Sequence, residues 1–425
     1  MHLRAIIQTI CLISFILLIL LGGATITGPL PPDLWLRLDP LVSVINPITT
    51  RQWLPPLFGG LVILVLTVAL GRFFCGYMCP LGTTFDLARR GVSHKRSQRQ
   101  TNDPALPRRW WKYGFLAAIT AAACLAMPAV FLAAPVAWAI RMYALLLYPL
   151  VLLAGVLGIR LAAPLSDLLG LGELTYLTPT IPQYAWQLAL AACVLALIGS
   201  VALSPRFWSR YLCPAGALMG LLSRRPLFRR KVSAACIQCG TCAKKCPMGA
   251  IDSDPYQTLH SECITCNTCV RACPEAAITF GHDPMVPPPA LPLDRTARRF
   301  LLAAGLSGVG YAALSLTRLG HLHGSTGPGQ VVPTRLLRPP GALPEADFLT
   351  HCIRCGLCYQ VCPTNTLQPL GLNIGLSGLY TPRVLPRRGA CEPGCIACGE
   401  VCPTDALRTL PLDEKQWAKI GTARI

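Results

Sequence analysis

Long uncharged apolar runs, separated by polar loops, organise the first half of the chain. After Arg4, residues 5–26 carry no charge and are long enough to cross a bilayer core of about 30 Å as a helix. No small-residue cleavage site ends this run, so it reads as an anchor and not as a removed signal peptide. Residues 54–71, 113–134 and 184–203 repeat the pattern and predict three more spans. Residues 142–159 are apolar too, but Arg141 and Arg160 bracket them and Pro149 interrupts them. The stretch between the second and third spans holds Arg72, Arg89, Arg90, Lys95, Arg96, Arg99, Arg108, Arg109 and Lys112 against Asp86 and Asp103. That excess places it in the cytoplasm by the positive-inside rule. The next basic stretch, Arg206, Arg210, Arg224, Arg225, Arg229, Arg230 and Lys231, belongs on the same side. Both conditions hold if residues 142–159 are re-entrant or lie against the periplasmic face. A last apolar run, 300–317, follows Arg298 and Arg299, a pair that also resembles a twin-arginine export signal. It predicts a fifth span, which puts everything after Arg318 outside the cytoplasm.

Composition agrees with a membrane protein: 53% of residues are apolar, 13% are charged and the mean hydropathy is +0.49. The net charge of +19 is gathered in loops between apolar runs, which fits a membrane-bound chain and excludes nucleic acid as the expected partner. Of the 22 cysteines most fall into regular quartets, so a disulfide scaffold is not expected.

Those quartets carry the chemistry. CIQCGTCAKKCP from Cys236 and CITCNTCVRACP from Cys263 each follow C-x2-C-x2-C-x3-C-P, the ferredoxin spacing for a [4Fe-4S] cube. Three close thiolates cap three irons, and the fourth cysteine reaches the neighbouring cube. The expected sets are Cys236, Cys239, Cys242 with Cys273, and Cys263, Cys266, Cys269 with Cys246. HCIRCGLCYQVCP from His351 and CEPGCIACGEVCP from Cys391 form a second pair, with C-x3-C at Cys391 and Cys395 and a longer spacer between the runs. The corresponding sets are Cys352, Cys355, Cys358 with Cys402, and Cys391, Cys395, Cys398 with Cys362. Zinc, the alternative for paired C-x2-C motifs, gives no reason for an eight-cysteine register with proline after each fourth.

Six cysteines lie outside the quartets. Cys11, Cys124 and Cys193 sit singly in apolar runs and read as small buried hydrophobes. Cys75, Cys79 and Cys213 sit at cytoplasmic ends of spans near arginines, and Cys75 and Cys79 would share one face of a helix. They are candidate redox thiols, candidate ligands of a shared metal, or packing groups. RFFCGYMCPLG from Arg72 recurs as RFWSRYLCPAG from Arg206, so the membrane region reads as a duplicated two-span unit, with Ser209 in the place of Cys75. No histidine lies inside the four main spans, which excludes a bis-histidine haem there. There is no C-x-x-C-H, no P-loop and no dinucleotide fingerprint.

The C-P elements after spans, followed by a two-cluster ferredoxin, resemble the NapH-type membrane-bound polyferredoxins. The tail, from the twin arginines through HCIRCGLCYQVCPTNTLQP and CEPGCIACGEVCPTDAL, is similar to NapG/MauM-type ferredoxins. The fold this implies is an α-helical transmembrane bundle of four spans, a re-entrant segment and a fifth span, with two ferredoxin-like α+β modules. Its expected divisions are 1–231 (bundle), 232–282 (cytoplasmic dicluster domain), 283–299 (proline-rich linker), 300–317 (fifth helix) and 318–425 (second dicluster domain, periplasmic). The resemblance implies a quinol dehydrogenase component of the bacterial inner membrane. It would hold four [4Fe-4S] clusters, take quinone as substrate, and pass electrons to a partner reductase or cytochrome. Candidate quinone contacts are Asp39, Arg141, Tyr143 and Tyr148. Two other readings stay open: metal or thiol reduction during oxidase assembly, with Cys75, Cys79 and Cys213 as working groups, and a redox scaffold for a partner oxidoreductase.

Overall fold

The computed structural model describes residues 2–23, 30–91, 109–127, 133–168, 181–251, 254–282, 295–316, 336–371 and 376–418. The linker residues 283–294, the basic residues 92–108 and the stretch 317–335 fall outside that set.

The bundle is organised along α1 (His2–Gly23). Near its start, Arg4 and Gln8 both bond the Gly76 carbonyl and the Asp86 carboxylate. Near its end, the Ile19 carbonyl accepts from Gln360, and Gly22 lies against Val361. At a rise of about 1.5 Å per residue, these two sets of contacts stand about 20 Å apart along the helix. The second cysteine module therefore packs at the far end of α1, and the near end holds Gly76, against which the first module's Ile264 lies.

Asp39 starts α2 (Pro40–Thr50): its carboxylate accepts from the N–H groups of Leu41 and Val42, satisfying donors that the first helical turn leaves open. A third bond, from the Val136 N–H at 3.2 Å, ties a distant segment to the same carboxylate. The chain continues through α3 (Phe58–Leu70), α4 (Phe73–Tyr77), α5 (Pro80–Gly91) and α6 (Trp111–Cys124). Next, α7 (Pro135–Met142) runs through a π-helical turn (Tyr143–Leu147) into α8 (Tyr148–Leu168). The bundle closes with α9 (Gln187–Gly199), a second π-helical turn (Trp208–Leu212) and α10 (Pro214–Leu222).

Two expectations change here. The segment 142–159 is not broken at Pro149 but belongs to one continuous helical path. Pro149 cannot donate to the Leu145 carbonyl, and Gln187 Nε2 donates to that oxygen instead, at 2.9 Å. Among the described residues, two helices have the length and hydropathy of membrane spans, Leu3–Gly23 and Pro135–Leu161. The expected spans at 54–71, 113–134 and 184–203 contain shorter helices, of 13, 14 and 13 residues. Gly71, at φ 74, ends the first of these, and Trp186, at φ 64, precedes the last. Residues 128–132 of the run 113–134 lie outside the described set.

In the first module, β1 (Phe228–Val232) pairs antiparallel with β2 (Ile278–His282), and α11 (Thr241–Lys245) and α12 (Thr268–Ala272) lie between them in sequence. α13 (Arg295–Leu316) then packs along α6, where Gly308 lets the Ala118 carbonyl approach its backbone. In the second module, α14 (Glu345–His351) and α15 (Leu357–Gln360) precede the antiparallel pair β3 (Leu367–Pro369) and β4 (Pro382–Val384). α16 (Ala397–Glu400) and α17 (Leu412–Trp417) complete it.

The first module sits flush on the bundle because Gly76 has no side chain. A Cβ there would overlap the Ile264 carbonyl oxygen, which is backbone and cannot swing aside. Gly76→Ala is therefore expected to weaken docking of the first module by roughly 1–3 kcal/mol. Limited proteolysis of the purified full chain would show this as faster release of the module.

Candidate metal centres

The structure groups the cysteines of each module. Cys246, Cys263, Cys266 and Cys269 line one small pocket, and Cys236, Cys239, Cys242 and Cys273 line another. In the second module burial raises Cys358, with Cys355, Cys352, Cys402 and Cys398 adding to it, and burial raises Cys398, with Cys391, Cys362 and Cys395 adding to it.

Their surroundings fit a thiolate-bound cluster. Burial first, and the neighbouring thiols second, push Cys355 and Cys398 up to about 12. Such thiols ionise when iron takes the proton's place, because coordination supplies the positive charge that a dry pocket lacks. Backbone N–H groups point at sulfur, from Ala250 to Cys246 at 3.3 Å and from Leu407 to Cys402 at 3.5 Å, and Arg230 Nη2 lies 3.6 Å from Cys242 Sγ. Hydrogen bonds of this kind tune iron–sulfur potentials.

Each module presents one quartet to the bundle. Ile264, between Cys263 and Cys266, is buried against Gly76, while Cys239 at the far quartet is exposed. On the other side Arg141 Nε donates to the Arg354 carbonyl, between Cys352 and Cys355. The widened C-x3-C loop is held by Lys415, whose Nζ donates to the carbonyls of Glu392 and Cys395.

Docking relies on buried charge. Glu262, next to Cys263, receives Arg72 Nη1 at 2.9 Å and Lys112 Nζ at 2.6 Å, and all three side chains are almost wholly buried. Burial alone would raise the Glu262 carboxyl, but Lys112 and Arg72 hold it below its ordinary range. Tyr77 adds a bond to the Thr265 carbonyl at 2.9 Å.

The second module docks through its long spacer. Gln368 on β3 donates to the Gln183 carbonyl and accepts from the Ala185 N–H. Tyr380, just before β4, stacks on the Arg141 guanidinium. Sequence reasoning noted only that this spacer was long; its polar side chains give no local pattern that marks a docking surface.

The candidate quinone contacts each have partners within the protein. Asp39 is a buried helix cap, and Arg141 joins the second module to the bundle. Tyr143 bonds Thr84 at 2.9 Å and meets Phe15 edge-on, while Tyr148 lies beside Gly23. The single cysteines also differ from expectation. Cys11 is half-buried, and Cys124 and Cys193 are exposed on apolar helices that also turn Leu125, Leu188 and Leu195 outward.

Comparison with known proteins bears on these sites. The family described as "4Fe-4S binding domain" matches residues 52–100 and again 186–234, "4Fe-4S dicluster domain" matches 235–278, and a further "4Fe-4S binding domain" matches 349–368. The methylamine utilization ferredoxin-type protein MauM of Paracoccus denitrificans is 41% identical over 97 residues, 23% of this chain and 42% of that protein. The chain carries ferredoxin-type 4Fe-4S binding segments. The putative electron transport protein YccM of Escherichia coli is 30% identical over 222 residues, covering 50% of this ferredoxin-type chain and 53% of YccM. Ferredoxin-type protein NapG of Escherichia coli is 48% identical over 56 residues, 13% and 24% of the two chains. The chain thus spans about half or less of these relatives. No solved structure matches it.

The two matches of the first family share one offset with the pairs Arg72 and Arg206, Cys79 and Cys213, and Gly82 and Gly216. Contrary to expectation, Cys75 and Cys79 do not share one helix, because α4 ends at Tyr77 and Cys79 caps the start of α5.

Glu262→Gln would leave Arg72 and Lys112 buried without a counter-charge. It is expected to cost roughly 3–5 kcal/mol of docking stability. The measurement is thermal release of the first module from the detergent-solubilised full chain, with iron and sulfide content unchanged.

Proposed function

We propose that the chain is a membrane-bound electron conduit that oxidises quinol and delivers electrons through four [4Fe-4S] clusters to a partner reductase or cytochrome. The observation that carries this reading is that each cysteine module turns one quartet to the bundle, the first through Ile264 against Gly76 and the second through the Arg354 carbonyl on Arg141. In this reading Cys236, Cys239, Cys242 and Cys273 hold the outermost cluster of the first module, and Cys263, Cys266, Cys269 and Cys246 the one nearest the bundle. Cys352, Cys355, Cys358 and Cys402 hold the bundle-facing cluster of the second, and Cys391, Cys395, Cys398 and Cys362 its outer one. The clusters supply one-electron carriers of adjustable potential. The protein holds them in order and shields the inner two from water.

The bundle lies in the bacterial inner membrane, with the first module cytoplasmic and the second periplasmic. The outward-facing Leu150, Val151, Leu153, Leu157 and Leu161 of α8 suit contact with lipid. α13, packed on α6, is a further membrane helix. Assembly chemistry on an outside metal or thiol is disfavoured because Cys75, Cys79 and Cys213 are all buried.

Two measurements test this. A reporter active only outside the cytoplasm, fused after Ile425, is expected to give signal, and a reporter active only inside is expected to give none. Adding a reduced quinone to the anaerobic, solubilised chain is expected to bleach its iron–sulfur absorption. A cytoplasmic terminus would sink the trans-membrane route, and absorption indifferent to quinol would sink the donor assignment.

A further inference from the structure

Arg230 meets both quartets of the first module. It lies on β1 opposite Phe280 of β2 and is almost wholly buried. Its Nη1 donates to the Pro255 carbonyl at 2.7 Å and to the Thr258 hydroxyl at 2.9 Å, which fixes the plane of the guanidinium. Nη2 then reaches Cys242 Sγ at 3.6 Å, in the quartet that includes the exposed Cys239. The same side chain lines the pocket of the other quartet, with Cys246, Cys263, Cys266 and Cys269. Cys242 and Cys269, the third cysteines of the two motifs, are buried in one small core with Ile251 and Ile278. The guanidinium therefore stands where the two halves of the module meet.

We propose that Arg230 serves both clusters of the first module as a single shared counter-charge, raising their midpoint potentials together so that an electron passes between them without being trapped on one side. Three observations carry this. The first is the contact with both quartets, which an arginine suits because its fixed fork carries five donors and a permanent charge. The second is the missing carboxylate. Among the described residues Arg230 bonds a carbonyl, a hydroxyl and a sulfur, and its buried Nε has no partner. A buried guanidinium needs an anion, and thiolate-bound clusters supply one. The third is reach: after burial, the charge of Arg230 is the largest influence on the Cys269 thiol, across the core from Cys242.

The direction of the effect follows from charge. Reduction adds one negative charge to a cluster, and a cation held beside it in a dry pocket favours that state more than an exposed cation does. Lys244 and Lys245, close in sequence to Cys246, are exposed, and water screens them. An electron crossing the module oxidises one iron and reduces another, with no bond made or broken. Arg230 favours the electron on either side, so removing it lowers both potentials.

The inference rests on the conduit reading, which puts two clusters in this module, but its test does not depend on quinol or on sidedness. The full chain and its variants are purified anaerobically in detergent, iron and acid-labile sulfide are measured, and the clusters are titrated against potential by electron paramagnetic resonance. Arg230→Gln is expected to move two one-electron steps to more negative potential, each by a roughly tenfold fall in the reduced-to-oxidised ratio at fixed potential, about 59 mV. Iron content and the steps of the second module are expected to stay as they are. Arg230→Lys keeps the charge and loses the fork, and is expected to shift the same two steps the same way by less. It decides the matter if the glutamine variant does not hold iron. Lys245→Gln is expected to move no step. A single step moving alone, or none moving in a variant that keeps its iron, would overturn the shared role. Loss of iron in both Arg230 variants would mark the side chain as a structural tie between β1 and residues 255–258, and would overturn it too. A wild-type chain without iron and sulfide would sink the conduit reading itself.

Discussion

Buried cations that must find anions govern how this molecule is put together. Arg72 and Arg206 stand at equivalent places in the two repeats, both wholly buried, and each crosses to the other repeat for a backbone carbonyl. Their carboxylate partners lie elsewhere: Glu262 belongs to the first ferredoxin module and Asp86 to α5. A guanidinium out of water costs several kcal/mol unless it is paired and hydrogen-bonded. The repeats therefore close on one another and the module closes on the repeats, since separation would strand charge in an apolar medium.

The second module attaches by different means. Its contacts are neutral side-chain and backbone bonds, Gln368 with Gln183 and Ala185, and Gln360 with Ile19, together with Arg141 lying against Trp138 and Tyr380. The residues added to its spacer form the β3–β4 hairpin, so a departure from regular ferredoxin spacing becomes the docking surface. Both modules are joined to the bundle beside their cysteines. Movement at either interface would displace a cluster as well as a domain, which favours rigid contacts.

Much of the candidate site was legible because iron–sulfur ligation is local. Three cysteines within a single short loop, and a proline that ends the run, leave little freedom in how sulfur is presented. The irregular Cys391 to Cys395 interval was equally visible, though not the Lys415 side chain that holds it. The helices of the bundle were legible as apolar runs but not as bounded elements. The break expected at Pro149 is absent because Gln187, far away in sequence, satisfies the carbonyl that the proline leaves open. The outward placement of Cys124 and Cys193 was hidden for a related reason: an apolar run looks the same whether its surface meets protein or lipid.

The sequence by itself determined the cysteine registers, the duplicated Arg-to-Gly segments and the apolar character of the bundle, because each depends on neighbours a few positions apart. Only the tertiary structure decided that Arg72 reaches across to Ser209, that Glu262 neutralises cations of two different segments, and that Asp39 caps a helix while holding Val136. Each of those links residues distant in sequence, and buried charges and open backbone groups accept whichever partner the packed chain brings within reach.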